Sequence, residues 1–240
     1  MSHKYNPPEN PELEWASVTT ICSDATDKSG PLTQWAANMT VEWVKVNCDF
    51  FSGQPANYEK AYYEVTEEQL NDARFNFRNV SQEALDVGGG VHDAIEYYLK
   101  TGKEPKIEHD QILAGFLAFL EFKDEYKLEP IALEETVYGE YFGGRTDYRG
   151  MFNGSEYIID WKSSKAVYPE MRYQTAAYRS CCPSVVGNGV VRLDKETGLP
   201  EWKDFSKTYE RDLKVFKTMV DLYYLRHPQL AKKAGYKEVT

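Results

Sequence analysis

The chain has 240 residues, of which 42% are hydrophobic and 14% aromatic, so it is long enough to bury a sizeable core in one large domain. Its formal net charge of −10 argues against a protein that coats nucleic acid through bulk positive charge. We find no apolar run near the roughly 20 residues of a membrane span and no apolar signal core in the Pro-rich N-terminal segment. These features predict a cytoplasmic protein without a membrane partner.

The first third of the chain is predicted to be helical. The mostly polar composition of residues 1–16 predicts a loosely held tail. Apolar side chains at three- and four-residue spacing predict a helix over residues 31–51. Thr66 and Gln69 have the spacing of a capping box, which predicts a second helix running to about Val87.

A run of three glycines, Gly88–Gly90, is expected to interrupt that second helix. A new helix is predicted over residues 91–100, where His92 and Glu96 are four residues apart and therefore lie on one face. An amphipathic helix is predicted over residues 107–126.

The second half of the chain predicts a sheet. Residues 137–148 and 155–162 are rich in β-formers, and the glycines and Asn153 between them predict a β-hairpin. The elements predicted beyond residue 130 are strands near 131–138, 141–148, 155–162, 185–193 and 199–204, a helix starting at Pro169 and a helix over 206–226. We therefore predict an α/β fold with a central mixed β-sheet flanked by helices, in one domain over residues 1–240 with a second flexible tail at 228–240.

The predicted hairpin brings together residues that can carry chemistry. Its strands lie side by side, so Asp147 and Asp160 can approach each other, and Asp160 and Lys162 project to the same face. Two converging carboxylates repel each other unless a cation lies between them, and such oxygen ligands suit Mg²⁺ or Mn²⁺. A lysine beside them can orient or deprotonate water, or stabilise charge on a phosphate. Two acids, a divalent ion and a lysine can together hydrolyse a phosphodiester bond.

An ordered series of residues extends this pattern: an acid, a short hairpin, D-x-K, and Q-x-x-x-Y on the following helix. The series comprises Asp147, Asp160, Trp161, Lys162, Gln174 and Tyr178. It resembles the core motif of the PD-(D/E)XK nuclease superfamily, in its RecB-like exonuclease branch. The S-V-T-x-I segment from Ser17 and the L-x-x-W segment from Leu32 are also similar to that branch. The resemblance implies a restriction-endonuclease-like nuclease core with an N-terminal helical part.

The resemblance also implies an activity. It predicts a Mg²⁺- or Mn²⁺-dependent DNA exonuclease that acts on single strands or DNA ends and leaves 5′-phosphate and 3′-hydroxyl groups. Asp147 and Asp160 would hold the metal, and His92 and the backbone carbonyl of Trp161 would complete its ligands. Lys162 would align the attacking water.

Other residues are candidates for substrate contact or for support of the site. The candidates for substrate binding are Gln174, Tyr178, Arg145, Ser163, Lys165 and Arg172. Arg145 could instead form only a salt bridge with the acids. Glu96 could support His92, and Glu134 could reach the metal through water or anchor the core. Residues 160–179 are locally basic, which could guide DNA despite the net charge.

The cysteines distinguish between members of this branch. Members that act in CRISPR adaptation hold an iron–sulfur cluster through one upstream cysteine and three near the C-terminus. Here no cysteine follows Cys182, so we predict no iron–sulfur cluster. The chain is more similar to the cluster-free phage-type exonucleases and the mitochondrial genome-maintenance exonuclease, which suggests the cytoplasm of a bacterial or phage-infected cell.

Three alternatives remain open from the sequence. The chain could be a structure-specific endonuclease of the same fold, an inactive nuclease-fold subunit that binds DNA, or a metalloprotein that does not act on nucleic acid. Cleavage polarity and the choice between DNA and RNA are not encoded in these motifs.

Overall fold

The computed structural model of the protein describes residues 4–51 and 62–237. These residues form two compact units where the sequence predicted a single domain. The larger unit combines residues 1–26 with 87–240, and the smaller unit spans residues 27–86. The two ends of the larger unit meet because the N-terminal segment joins its sheet.

The described residues form nine strands. They are β1 (Lys4–Tyr5), β2 (Trp15–Ser17), β3 (Asp49–Phe51), β4 (Tyr62–Glu64), β5 (Glu129–Tyr138), β6 (Phe142–Phe152), β7 (Ser155–Lys162), β8 (Gly187–Leu193) and β9 (Pro200–Asp204). They also form seven α-helices. These are α1 (Val18–Ala25), α2 (Ser29–Asn47), α3 (Glu67–Thr101), α4 (Asp110–Tyr126), α5 (Pro169–Ser180), α6 (Tyr209–Arg226) and α7 (Pro228–Ala234).

All strands except β3 and β4 belong to one mixed sheet in the larger unit, in the order β1-β2-β6-β7-β8-β9, with β5 also paired to β6. The predicted hairpin of β6 and β7 is confirmed. Its turn residues Asn153 and Gly154 have φ values of 49° and 79°, the left-handed conformation that two-residue hairpin turns favour. Strands β7 and β8 are parallel, and α5 connects them. The predicted α/β class with a mixed sheet and flanking helices is therefore confirmed.

The sheet has a core on each face because successive side chains of a strand point to opposite sides. Ile158 belongs to a buried cluster with Phe216 of α6 and other residues of α1 and α5. The next residue, Ile159, belongs to a second cluster with Phe119 and Phe122 of α4. The helices thus cover both faces of the sheet.

The prediction that Gly88–Gly90 interrupts a helix is wrong. Helix α3 is continuous over 35 residues and includes all three glycines. A Cβ atom added to Gly90 would lie 2.4 Å from Cδ1 of Ile112 in α4, so this glycine allows two helices to pack closely. Close packing at Gly90 thus offsets part of the low helix propensity of the run.

The prediction of loosely held tails over 1–16 and 228–240 also differs from the structure. Strand β1 pairs with β2, and the indole N–H of Trp15 donates a 3.1 Å hydrogen bond to the carbonyl oxygen of Ala234. Ala234 of α7 is fully buried. The two ends of the chain therefore hold each other against the sheet, while residues 1–3 and 238–240 lie outside the described part.

The smaller unit contains α2, the β3–β4 hairpin and the first part of α3. The predicted capping box is confirmed: the backbone N–H of Gln69 donates to Thr66 Oγ1 at 3.2 Å, and the backbone N–H of Thr66 donates to Gln69 Oε1 at 2.9 Å. The residues between β3 and β4, numbers 52–61, lie outside the described part of the chain. Across residues 4–51 and 62–237, no helix has both the length and the apolar character of a membrane span.

Candidate metal centre and active site

The site forms at a gap along one edge of β6. Strand β5 pairs with the other edge of β6. Two strands share the edge of β6 that faces away from β5. Strand β7 pairs with this edge only as far as Tyr148, which lies opposite Ile159. Strand β2 pairs with it at Phe142 and Gly143. Asp147 and Asp160 are the next residues on their strands beyond the Tyr148–Ile159 pair. The hairpin therefore brings both acids to the point where its strands separate.

Three side chains at this gap can share one cation. One ligand atom each from His92, Glu134 and Asp147 lies within 4.8 Å of the other two. Helix α3 supplies the histidine, and the neighbouring strands β5 and β6 supply the carboxylates. A mixed set of one imidazole and two carboxylates fits a divalent ion such as Mn²⁺ or Mg²⁺. The sequence placed Glu134 only in a supporting role or in the core, whereas the structure places it in this cluster.

The backbone of Trp161 fixes two members of the cluster. Its N–H donates to Asp147 Oδ2 at 2.8 Å, and its carbonyl oxygen lies 3.1 Å from His92 Nε2. When Nε2 carries the proton and donates this bond, the lone pair of Nδ1 is free to bind a metal. That Nδ1 atom lies 3.7 Å from Asp147 Oδ2. The Trp161 peptide thus orients both residues, and its carbonyl as a metal ligand stays a prediction.

Glu134 has a strained backbone. Its φ is 51°, although it lies inside strand β5, and a non-glycine residue in this left-handed region costs about 1–3 kcal/mol. Its carboxylate forms an ion pair with Arg145, whose Nε lies 2.7 Å from Oε2. Strain of this kind in a strand that lines a polar cavity is typical of functional positions.

We expect Glu134→Gly to keep or raise the melting temperature of the metal-free protein while weakening its affinity for Mn²⁺. Glycine adopts the left-handed conformation without strain, and the change also removes a half-buried carboxylate. Thermal unfolding and calorimetric Mn²⁺ titration would check this. Glu134→Gln is the control that removes the charge but keeps the strain. Wild-type Mn²⁺ affinity in Glu134→Gly would contradict a ligand role.

A second cluster adjoins the first. Asp160 is buried, with 1% of its surface exposed, and the ammonium group of Lys162 contacts its Oδ2. This Oδ2 atom makes no regular hydrogen bond within the described residues. The Gln174 amide donates to Asp160 Oδ1 at 3.0 Å and to the Tyr178 hydroxyl at 3.1 Å. The sequence correctly predicted that Gln174 and Tyr178 share a helix face, and here that face holds Asp160.

The glycine pair before Asp147 makes room for aromatic rings. A Cβ atom on Gly143 would lie 2.4 Å from Tyr5 Cβ, and one on Gly144 would lie 2.4 Å from Tyr178 Cε1. Both tyrosines line the cavity that contains the site. The contribution of Tyr5 could not be found from the sequence, because it requires the N-terminal strand β1 to join the sheet.

The cavity has a volume of about 380 Å³ and is strongly acidic. Five carboxylates but only two cationic side chains, Arg145 and Lys162, line it. The locally basic character predicted for residues 160–179 therefore does not extend to the cavity. Without a bound cation, this charge disfavours a phosphate.

Burial and mutual repulsion shift the protonation of the site. Burial, and then the nearby charge of Asp160, raises the pKa of Asp147 well above its ordinary value. Burial likewise raises the pKa of Glu134. Burial lowers the pKa of His92, so its imidazole is neutral near pH 7. Burial disfavours the Lys162 ammonium, but the charges of Asp160 and Asp147 outweigh it and raise its pKa.

The raised pKa of Asp147 predicts a pH-dependent stability. The folded state binds this proton more tightly than the unfolded state, so its contribution to stability falls as pH rises from the ordinary carboxyl range through the raised pKa. We expect the metal-free wild type to lose melting temperature relative to Asp147→Asn over this range. Added Mn²⁺ should restore more stability at pH 8 than at pH 5, because it binds the deprotonated carboxylate. A difference between the two proteins that does not change with pH would contradict this.

The other predicted residues fall into two groups. Glu96 and Arg145 line the cavity, where Glu96 is also paired with Lys100. Lys165 is exposed in the loop after β7. Arg172 lies apart from the cavity, since its guanidinium donates to Asp212 at 2.9 Å and to Thr208 at 2.8 Å. These hydrogen bonds connect α5 to α6 and occupy the Arg172 guanidinium, so it is not free to contact DNA.

Two further differences from the prediction concern which residues line the cavity. Ser163 does not line the cavity, and its Oγ would lie 3.1 Å from a Cβ atom on Gly88. Thr19, Gly89 and Asp93 do line it, although the sequence did not single them out for that role. Gly89 had a signal as part of the glycine run, and Thr19 had one as part of the S-V-T-x-I segment that begins at Ser17.

Searches against known proteins return no family model and no curated protein that matches this sequence. The resemblance to RecB-like nucleases therefore rests on the motif residues themselves.

Proposed function

We propose that the protein is a divalent-metal-dependent nuclease, and specifically a DNA exonuclease acting on single strands or DNA ends. One observation carries the proposal: His92, Glu134 and Asp147 can share a cation, in the same cavity as the ion pair between Asp160 and Lys162. Candidate metal ligands beside a half-buried lysine suit phosphodiester hydrolysis more than simple metal storage.

His92, Glu134 and Asp147 would hold Mg²⁺ or Mn²⁺, with Asp160 adjacent. The bound ion would supply charge stabilisation at the phosphate and lower the pKa of a water molecule. The Trp161 peptide would keep His92 and Asp147 oriented, and Gln174 would keep Asp160 in place.

Lys162 would act as a charged hydrogen-bond donor. Because the charges of Asp160 and Asp147 outweigh burial and raise its pKa in the metal-free protein, it is an ammonium group at neutral pH before the ion binds. It would donate hydrogen bonds, which orient a water molecule or stabilise negative charge on the phosphate. The acidic lining also implies that DNA enters the cavity only when a divalent cation is present.

The test is digestion of end-labelled linear single-stranded DNA, linear duplex DNA and closed circular DNA, each with Mg²⁺, Mn²⁺, Zn²⁺ or Ca²⁺. We expect Mg²⁺ or Mn²⁺ to support degradation of linear DNA to products with 5′-phosphates, while the circle stays intact. Cutting of the circle would identify an endonuclease. Binding without cleavage would identify an inactive DNA-binding subunit, and binding of metal but no DNA would identify a different metalloprotein.

A further inference from the structure

A second cavity of about 600 Å³ lies on the neighbouring face of helix α3. Gly90, Asp93 and Tyr97 of α3 line it at three- and four-residue steps, whereas Gly89, His92 and Glu96 of the same helix line the catalytic cavity. Asp93 lines both. One helix thus forms the wall between two adjacent cavities.

The lining of the second cavity suits a flat, mainly apolar ligand. Ile107 and Ile112 contribute apolar surface, and Tyr97 is 45% exposed. The volume falls in the range of about 300–1,000 Å³ that is usual for small-ligand sites. An exposed tyrosine beside apolar walls is a stacking surface for a base.

The charges favour a base over a phosphate. Besides the Tyr97 phenol, the charged or titratable groups that line this cavity are Asp93, Lys106, Glu108 and His109. Lys106 pairs with Glu108 at 2.7 Å, and His109 Nδ1 accepts the backbone N–H of Gln111 at 3.2 Å. This leaves Asp93 as an acceptor, which can receive a hydrogen bond from the exocyclic amine of a base.

Gly89 gives an independent indication that a ligand passes this wall. A Cβ atom added there would meet nothing within 4 Å, while one on Gly90 would clash with Ile112. Packing therefore explains Gly90 but not Gly89, although glycine destabilises a helix interior. Gly89 lines the catalytic cavity, so its bare backbone leaves space at this wall of that cavity for a nucleic-acid strand.

We propose that the second cavity binds the base of a nucleotide next to the phosphate held in the catalytic cavity. Tyr97 stacks on this base, and Asp93 accepts a hydrogen bond from it. This inference rests on the proposed nuclease function and adds a base-binding subsite to it.

The test uses Tyr97→Ala and single-stranded DNA of fixed length with Mn²⁺. Stacking of one base contributes about 1–3 kcal/mol, so KM should rise about 5- to 150-fold while kcat changes little. Tyr97→Phe keeps the ring and should behave as wild type. The control is Leu113→Ala, because Leu113 is 41% exposed on α4 but lies outside both cavities. Melting temperatures of all variants would verify folding.

A second set of substrates carries one abasic site, moved stepwise from the scissile bond. In the wild type, an abasic site at one position should raise KM about as much as the Tyr97→Ala change does. In Tyr97→Ala, an abasic site at that position should not raise KM further. An unchanged KM in Tyr97→Ala, or an abasic effect equal in both proteins, would overturn the base subsite while leaving the nuclease proposal intact. A wild type that cleaves none of these substrates would overturn both.

Discussion

Asp147→Asn should reduce DNA cleavage by at least about 10²–10³-fold, the usual effect of removing one positioned charge from an active site. The change removes a ligand charge from the cluster with His92 and Glu134. The fold should persist, because the asparagine side-chain oxygen can still accept the 2.8 Å hydrogen bond from the Trp161 N–H. Without metal and at a pH above the raised pKa of Asp147, the variant should melt higher than the wild type, because burial penalises the charged form of Asp147.

The measurement is single-turnover cleavage in Mn²⁺, with thermal unfolding in the presence and absence of the metal. Mn²⁺ should raise the melting temperature of the wild type but have little effect on the variant. Asp124→Asn is a matched control, since that side chain is 77% exposed on α4. Cleavage by Asp147→Asn at near wild-type rate would place the active site elsewhere.

Lys162→Met should also reduce the cleavage rate by about 10²–10³-fold, while largely preserving metal binding. Methionine fills much of the same volume but has no hydrogen to donate to water or phosphate. The variant leaves Asp160 without its ion-pair partner, although Gln174 still donates to Asp160. Some loss of stability is therefore expected.

To separate chemistry from binding, DNA affinity would be measured in Ca²⁺, an ion of similar ligand preference. Affinity should change only a few-fold for Lys162→Met, and Lys217→Ala, at an exposed position on α6, should change neither affinity nor rate. A large loss of DNA affinity in Ca²⁺ with an unchanged cleavage rate at saturating DNA would show that Lys162 binds substrate and does not act in the chemical step.

Local patterns were sufficient to predict the central part of the sheet. The Asn153–Gly154 turn and the β-rich segments around it specify a hairpin through residue-level preferences. The same hairpin then brings Asp147 close to Asp160, and the helical spacing of Gln174 and Tyr178 places both on one face. These relations depend on neighbours in sequence or on a short turn.

The features that sequence reasoning missed depend on contacts between distant segments. Nothing near Glu134 in the sequence indicates its left-handed backbone, which arises within a strand paired to β6. The Trp161 peptide supports the site only because β6 and β7 separate there. The run Gly88–Gly90 looked like a helix break, because the sequence does not show that Gly90 packs against Ile112 of α4.

The sharing of helix α3 between the two compact units limits how the protein can be shortened. The boundary at Asp86 and Val87 falls inside the helix, so a truncation there would create a new helix start at Val87, only five residues before His92. The first four N–H groups of such a start lack intrahelical acceptors, and fraying would reach the turn that carries the histidine. A minimal active fragment should therefore keep at least two helical turns before Val87, or place a capping serine or aspartate at the new start.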